Sequence, residues 1–313
     1  MLAGDGSLDP QGPVAETMAG LWWLMLGLGV VVYAVFAFLL VRGLFRRRDA
    51  TDSPPGGPAP KRFDWWVLGG GVVMPVVVLT VVLGGTVWAL REVPSSAPQG
   101  ALVVEIVGHQ WWWEVRYPEE GITTANELHI PVGRPVAVEL TSADVIHSFW
   151  VPALAGKLDA LPDGTNTLVL EADEPGEHRS MCAEFCGLQH AEMGLIVVAE
   201  PTEQFASWVV DQQEQAEGPA DEAGRRGEDV FVGTDCASCH TVRGTSADGT
   251  EGPDLTHVAS RPTIGAGAAP NAPEDLTAWV TDPHTIKDGV LMPAADLDDE
   301  ELEAVVAYLE SLE

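Results

Sequence analysis

Two apolar stretches near the N-terminus restrict what this chain can fold into more than any other feature. Leu21–Leu44 and Trp66–Leu90 carry no charge through their middles. Each is long enough to cross a bilayer as a helix, which takes about 20 apolar residues. Arg42, Arg46, Arg47, Arg48, Lys61 and Arg62 lie in or beside the intervening segment 45–64, and they are all the bases of the first ninety residues. Short loops rich in Arg and Lys stay cytoplasmic, so both termini are expected on the outer side. Trp22, Trp23, Trp65, Trp66 and Trp88 sit near the ends, where interfacial aromatics belong. Buried helices of a soluble protein would explain the hydropathy but not the basic loop. Residues 1–91 therefore read as an N-terminal segment and a membrane hairpin. Gly69–Gly71 and Pro75 suit close packing on a larger membrane partner. Asp64 reads as a solvated flanking charge rather than a proton-uptake group. Residues 1–20 lack a basic n-region and an apolar h-region, so either the start is a processed one or insertion relies on the first span.

Charge and cysteine content narrow the chemistry. The first ninety residues hold six acids and six bases, so the net charge of −31 belongs wholly to residues 91–313. Such a surface repels nucleic acid and steers toward a basic partner, or serves solubility in high salt. The four cysteines form two tight pairs, Cys182/Cys186 and Cys236/Cys239. Cysteines used this way suggest metal or cofactor chemistry rather than a disulfide scaffold.

Residues 92–100 are a Pro/Ser/Gly connector, and short β-rich runs follow at Leu102–Val107, Val136–Thr141, Val145–Val151, Thr167–Glu171 and Leu195–Ala199. Turn residues punctuate them, which predicts a β-sandwich or barrel, here drawn as a Greek-key barrel over 92–201. Just before the last run, Cys182-Ala-Glu-Phe-Cys186-Gly-Leu-Gln-His190-Ala-Glu-Met193 packs two thiols, an imidazole and a thioether into twelve residues. Soft sulfur with imidazole suits copper, or zinc if the thioether is idle; a Cys182–Cys186 disulfide is the plainer alternative. His147, within an apolar run, becomes a further ligand only if strand pairing brings it to that loop. Otherwise it is a core histidine.

Pro201–Gln213 has Phe205, Trp208 and Val209 at helical spacing, and Gln215–Gly224 lacks any apolar period. Residues 202–224 are therefore a helix and linker, with a further domain over 225–313. Its key is Cys236-Ala-Ser-Cys239-His240, the spacing of covalent c-type haem attachment, for which a C-x2-C redox pair is the alternative. Met292 is the one methionine beyond the linker and the leading second axial ligand, with His257 and His284 as formal competitors. Arg225–Val232 predicts an opening helix. Leu302, Val305, Val306 and Leu309 predict a closing one, with Asp298 and Glu301 as its capping box. Residues 262–275 read as a Gly/Ala/Pro-rich loop.

Residues 20–201 resemble subunit II of a haem–copper cytochrome c oxidase. The resemblance rests on Gly108–Tyr117, Asp144–Pro152, Lys157–Pro162 and the C-x3-C-x3-H-x2-M loop, and it extends over the hairpin. It implies a cupredoxin fold holding a dinuclear copper A centre. His147, Cys182, Cys186 and His190 would be ligands, the two thiolates bridging, with Met193 and the Glu184 carbonyl axial. The Glu184 side chain would reach a magnesium or manganese site shared with subunit I, and Trp111 would be where electrons arrive from cytochrome c. Lys157 and Asp159 match without an assigned role, while His109, His129 and His178 are treated as structural. Residues 225–313 resemble an all-α class I cytochrome c on Cys236–His240, Gly252–Arg261 and Gly289–Pro293. That likeness places the Pro253 carbonyl against the His240 imidazole and puts Arg261 and Trp279 near the haem propionates. Together the pieces resemble subunit II of a caa-type oxidase. This implies a bacterial plasma-membrane protein whose cofactor domains are extracytoplasmic. Its partners would be subunit I, subunit III, membrane lipid and a cytochrome c donor, with no nucleic acid. Nitrous oxide reductase would need a large His-rich propeller, and the chain has eight histidines. A thioredoxin-like copper-delivery protein would lack the His and Met after the cysteines. A quinol oxidase subunit II would lack the copper ligands.

Overall fold

The computed structural model describes residues 6–45, 62–94 and 96–313. The expectations on Arg46, Arg47, Arg48 and Lys61 lie outside the described residues, as do those on the side chains of Arg62 and Asp64.

The first span is helix α1, Pro13–Phe45, which begins eight residues before the apolar stretch. Pro13 fits a first turn, where its missing N–H is not needed. The second span is broken. Helix α2, Arg62–Leu68, leads into a π-helical turn at Gly69–Val73 before α3, Met74–Glu92, resumes. Pro75 supplies no N–H, and its ring crowds the carbonyl four residues back, at Gly71. A widened turn of glycines takes up that mismatch. The Gly69–Gly71 run thus has a local role in the backbone besides the packing role the sequence suggested. Both spans remain strongly apolar, with mean hydropathy 2.7 and 2.4, and side chains such as Phe36, Phe38, Val76 and Leu79 are exposed.

Beyond the hairpin come ten strands: β1 Leu102–His109, β2 Trp112–Tyr117, β3 Ile122–Ala125, β4 Glu127–Pro131, β5 Val136–Ser142, β6 His147–Trp150, β7 Leu158–Ala160, β8 Asn166–Leu170, β9 Gly176–Cys182 and β10 Gly194–Glu200. They form two five-stranded sheets, ordered β3-β2-β1-β5-β8 and β4-β10-β9-β6-β7. The barrel-like cupredoxin expectation holds, and it takes the form of these two sheets. Strand β1 shows why they pack: its residues alternate strictly between buried and half-buried, so one face supplies Leu102, Val104 and Ile106 to the core. Trp113, Tyr117, Leu128, Ile130, Leu140 and Phe149 complete that core, each fully or almost fully buried. The run expected from Val145 begins two residues later, at His147. The backbone N–H of Val145 is taken by the Asp144 carboxylate at 2.6 Å, a local bond that competes with strand pairing.

Helix α4, Thr202–Gln213, follows β10 and lays Trp208 flat on His129, ring centroids 4.3 Å apart. Then come α5 Glu222–Gly233, α6 Cys236–Cys239, the hairpin strands β11 Thr263–Ile264 and β12 Ala269–Pro270, α7 Pro273–Thr281 and α8 Asp299–Glu310. Two expectations need correction here. Helix α5 starts inside the stretch read as linker, because Asp221 caps it by accepting from the Gly224 N–H at 2.8 Å. The 262–275 stretch is not wholly loop: it contains the β11–β12 hairpin and the first turn of α7, opened by Pro273. The capping box of α8 forms as expected between Asp298 and Glu301. Phe231, Val242, Leu276, Val305, Tyr308 and Leu309 pack these helices into a second core.

Candidate cofactor sites

The pairing of β6 with β9 sets Cys182 opposite Phe149, two residues after His147. This register carries His147 to the cysteine loop across 35 residues of sequence. The loop between β9 and β10 is closed at its base by the Cys182 N–H donating to the Met193 carbonyl at 3.0 Å. Around the buried thiols the donors converge. Cys182 Sγ lies 3.7 Å from Cys186 Sγ, 3.9 Å from His147 Nδ1 and 3.2 Å from the Glu184 carbonyl oxygen. Cys186 Sγ lies 3.7 Å from His190 Nδ1 and 3.9 Å from Met193 Sδ. One imidazole thus approaches each thiol. The Glu184 side chain itself is exposed.

The cysteines are free thiols. At 3.7 Å they are well beyond disulfide length. Two sulfurs each about 2.3 Å from a shared metal at a tetrahedral angle would lie about 3.8 Å apart, so the pocket fits a metal. A thioether and a carbonyl beside thiolate and imidazole favour copper over zinc. Electrostatics prepares one thiol for this. Burial alone would raise both. At Cys182 the His147 imidazole and backbone hydrogen bonds at Ser148 and Glu184 outweigh burial and bring the thiol down to about 6. At Cys186 burial and the negative charge of Cys182 push it up to about 12. The two thiols thus differ in acidity, Cys182 the more acidic, and a cation bound by both would displace the protons they hold.

Residues around the ligands supply a support that the sequence reading missed. His147 is fully buried, and its Nε2 meets Asp144 Oδ1 at 2.8 Å, which turns Nδ1 toward the thiols. A Cβ on Gly108 would stand 2.7 Å from His147 Cδ2, so only glycine allows the ring its place. The carbonyl of Cys186 accepts from Gln110 Nε2 at 2.7 Å and from Trp111 Nε1 at 3.0 Å. Trp111 is therefore bound to the cysteine loop, and it is only 7% exposed. Trp113 is core, whereas Trp112 is half-buried and stacks on His109, itself 3.2 Å from Glu114. His129 is buried between Glu127 and Glu200. Burial would lower its pKa, but the two carboxylates outweigh it and raise the imidazole to about 9. His178 is buried in β9.

In the helical part, His240 follows α6 directly. Its Nδ1 meets the Pro253 carbonyl at 2.8 Å, so the ring proton belongs on Nδ1 and the Nε2 lone pair is free for iron. Burial holds the ring below the usual imidazole range despite that bond. Gly252 makes the approach possible, since a Cβ there would sit 2.6 Å from His240 Cε1. Cys236 and Cys239 are free and partly exposed on the same turn. Arg261 is buried, donates to the Asp254 carbonyl and lies 3.8 Å from Glu127, and its Nε has no hydrogen-bond partner. An imidazole with its Nε2 left open, following two free cysteines at C-x2-C-H spacing, fits a covalently held haem. Trp279 is half-buried against Gly265, and Met292 is half-buried in the irregular stretch before α8.

Residues 120–200 match the description "Cytochrome C oxidase subunit II, periplasmic domain", and residues 224–313 match "Cytochrome c". Cytochrome c oxidase subunit 2 of Alkalihalophilus pseudofirmus is 36% identical over 315 residues, covering 98% of this chain and 90% of the relative. The chain belongs to the cytochrome c oxidase subunit 2 family. Subunit 2 of Bacillus subtilis is 30% identical over 98% of this chain and 91% of its own length. Quinol oxidase subunit 2 of Bacillus spizizenii is 32% identical over 67% of each chain. As a subunit 2 with a cytochrome c region behind it, this chain is the electron-transfer subunit II of a haem–copper oxidase, arranged as in caa-type enzymes. It is part of an oxidoreductase complex and a membrane protein with periplasmic domains, and its two matched regions imply copper A and haem c.

Proposed function

We propose that this chain is the electron-accepting subunit of a proton-pumping terminal oxidase of a bacterial plasma membrane. Electrons from an external cytochrome c pass by way of its own covalent haem c and dinuclear copper A to haem in subunit I, where oxygen becomes water. The division of labour follows the chain: a two-span anchor in 1–91, copper ligation in 92–201, a helix and linker in 202–224 and haem ligation in 225–313. Both termini and both cofactor regions lie outside, and subunits I and III and lipid surround the spans. When bound, the two groups supply one-electron redox chemistry, and a His/Met axial pair keeps the haem potential high.

The chain's own residues hold and orient these groups. Cys182, Cys186, His147 and His190 would hold the coppers, with one imidazole lying beside each thiol. Met193 and the Glu184 carbonyl would add weaker donors, and the exposed Glu184 side chain would serve a magnesium or manganese ion shared with subunit I. Asp144 orients His147, and the Cys186 carbonyl ties Trp111 to the centre. Cys236 and Cys239 would form the thioethers, and His240 and Met292 would bind the iron. Pro253 fixes the His240 ring, while Arg261 and Trp279 would serve the propionates. The observation that carries the reading is the convergence of His147, Cys182, Cys186, His190, Met193 and the Glu184 carbonyl in one chain with a locked C-x2-C-H histidine.

Fusion keeps the haem region at high effective concentration beside the copper loop, so encounter does not limit transfer. Met292→Leu should therefore lower oxygen uptake driven by reduced cytochrome c by about tenfold or more, while a small reductant still reduces the copper loop directly. An undiminished cytochrome-driven rate in that variant would refute the relay order.

A further inference from the structure

Residues 225–313 carry five bases, Arg225, Arg226, Arg243, Arg261 and Lys287. Lysine is almost never fully buried unless paired, yet Lys287 is 2% exposed. It follows the 3-10 turn Pro283–Thr285 and is fixed there by its own N–H on the Pro283 carbonyl at 2.9 Å. Its ammonium has acceptors in two different parts of the chain. Nζ donates to the Trp111 carbonyl at 2.8 Å, on the copper-loop side, and to the Gly265 carbonyl at 2.9 Å, in the β11–β12 turn. Neighbouring bonds close the same seam. The Gly194 N–H donates to the Ala266 carbonyl at 2.9 Å, and Gln189 Nε2 donates to the Asp288 carbonyl. Trp111 in turn bonds the Cys186 carbonyl through its indole. Burial lowers the Lys287 ammonium to about 8, against the opposing pull of the Glu192 carboxylate. A lysine serving only solubility would be exposed, and one serving only packing would not place its charge between two carbonyls.

We propose that Lys287 is a positioning residue that clasps the haem-bearing part onto the copper loop through the Trp111 main chain, so that electrons cross a fixed contact. This rests on reading the two parts as haem and copper carriers. The contribution of Lys287 is geometric. The one electron lost by the haem iron is the one gained by the copper pair, and no bond or proton at Lys287 changes.

The test uses the purified oxidase complex carrying Lys287→Met, which keeps the stem and removes the charge. After flash reduction of the haem by a photoreductant, equilibration with copper should slow by about tenfold or more, the worth of one lost charge-assisted hydrogen bond. Hydrogen–deuterium exchange at the Gly194 amide and in residues 262–268 should rise, while the visible haem band and the near-infrared copper band stay as in the parent. Unchanged equilibration and exchange with both bands intact would overturn the clasp. A parent complex lacking either band would instead defeat the cofactor reading on which the clasp rests. If the methionine variant loses its haem, Lys287→Gln, able to reach one carbonyl, is judged by the same two readouts.

Discussion

Replacing Cys186 with serine is expected to empty the copper loop and stop oxygen uptake. Cys186 Sγ is the donor nearest to His190 and Met193 and faces Cys182. On the proposed ligation its loss would remove one thiolate and deprive the neighbouring His190 imidazole and Met193 thioether of the donor beside them. A serine hydroxyl is a hard, weakly acidic donor and does not replace soft sulfur. Cytochrome-driven turnover should fall by roughly a thousandfold or more, about 4 kcal/mol in the barrier, and the near-infrared band should vanish. The fold should survive, because the contacts that tie Trp111 and Gln110 to this position use the Cys186 main-chain carbonyl, which serine retains. Retention of parental copper content by the variant would exclude Cys186 as a bridge.

The paired substitution Cys236→Ala/Cys239→Ala should act on the other cofactor with comparable force. Both thiols lie on the single turn α6, and neither is locked in a disulfide. Thr234 and Ser238 are their hydroxyl neighbours, at 3.4 and 3.7 Å. Without them a haem would depend on His240 and Met292 alone. No haem should then remain on the chain after denaturing electrophoresis, and cytochrome-driven uptake should fall about a hundredfold. The helical part should also lose stability, since a bound group that favours the folded state stabilises it by mass action. Haem retained on the denatured double variant would contradict thioether attachment.

The parts of this molecule legible in sequence were those whose meaning lies in spacing. The C-x3-C-x3-H-x2-M loop, the C-x2-C-H motif and the two apolar stretches each fix their chemistry within a few residues. Placing His147 beside the thiols needed the family resemblance, because the register of β6 on β9 is a long-range fact. Strand β9 itself, Gly-Glu-His-Arg-Ser-Met-Cys, was missed: only one of its faces is buried, and its residues are mostly polar. The β11–β12 hairpin is two residues deep and leaves no periodic trace. In the aromatic run, the turn that ends before Trp112 decides which tryptophan meets the copper loop. Three identical side chains in a row could not reveal that. Asp144 could have been found, three residues before a candidate ligand. Lys287 could not, since its role depends on two carbonyls at Trp111 and Gly265 that only the folded chain brings together.

The presence of both a dinuclear copper centre and a covalent haem on one chain has a direct spectroscopic signature. It is tested most directly by a visible and near-infrared spectrum of the purified complex combined with metal analysis. The expected result is one c-type haem and a pair of coppers for each copy of this chain, with a near-infrared band that disappears on reduction. Zinc in place of copper, a single copper, or a chain without covalent haem would contradict it.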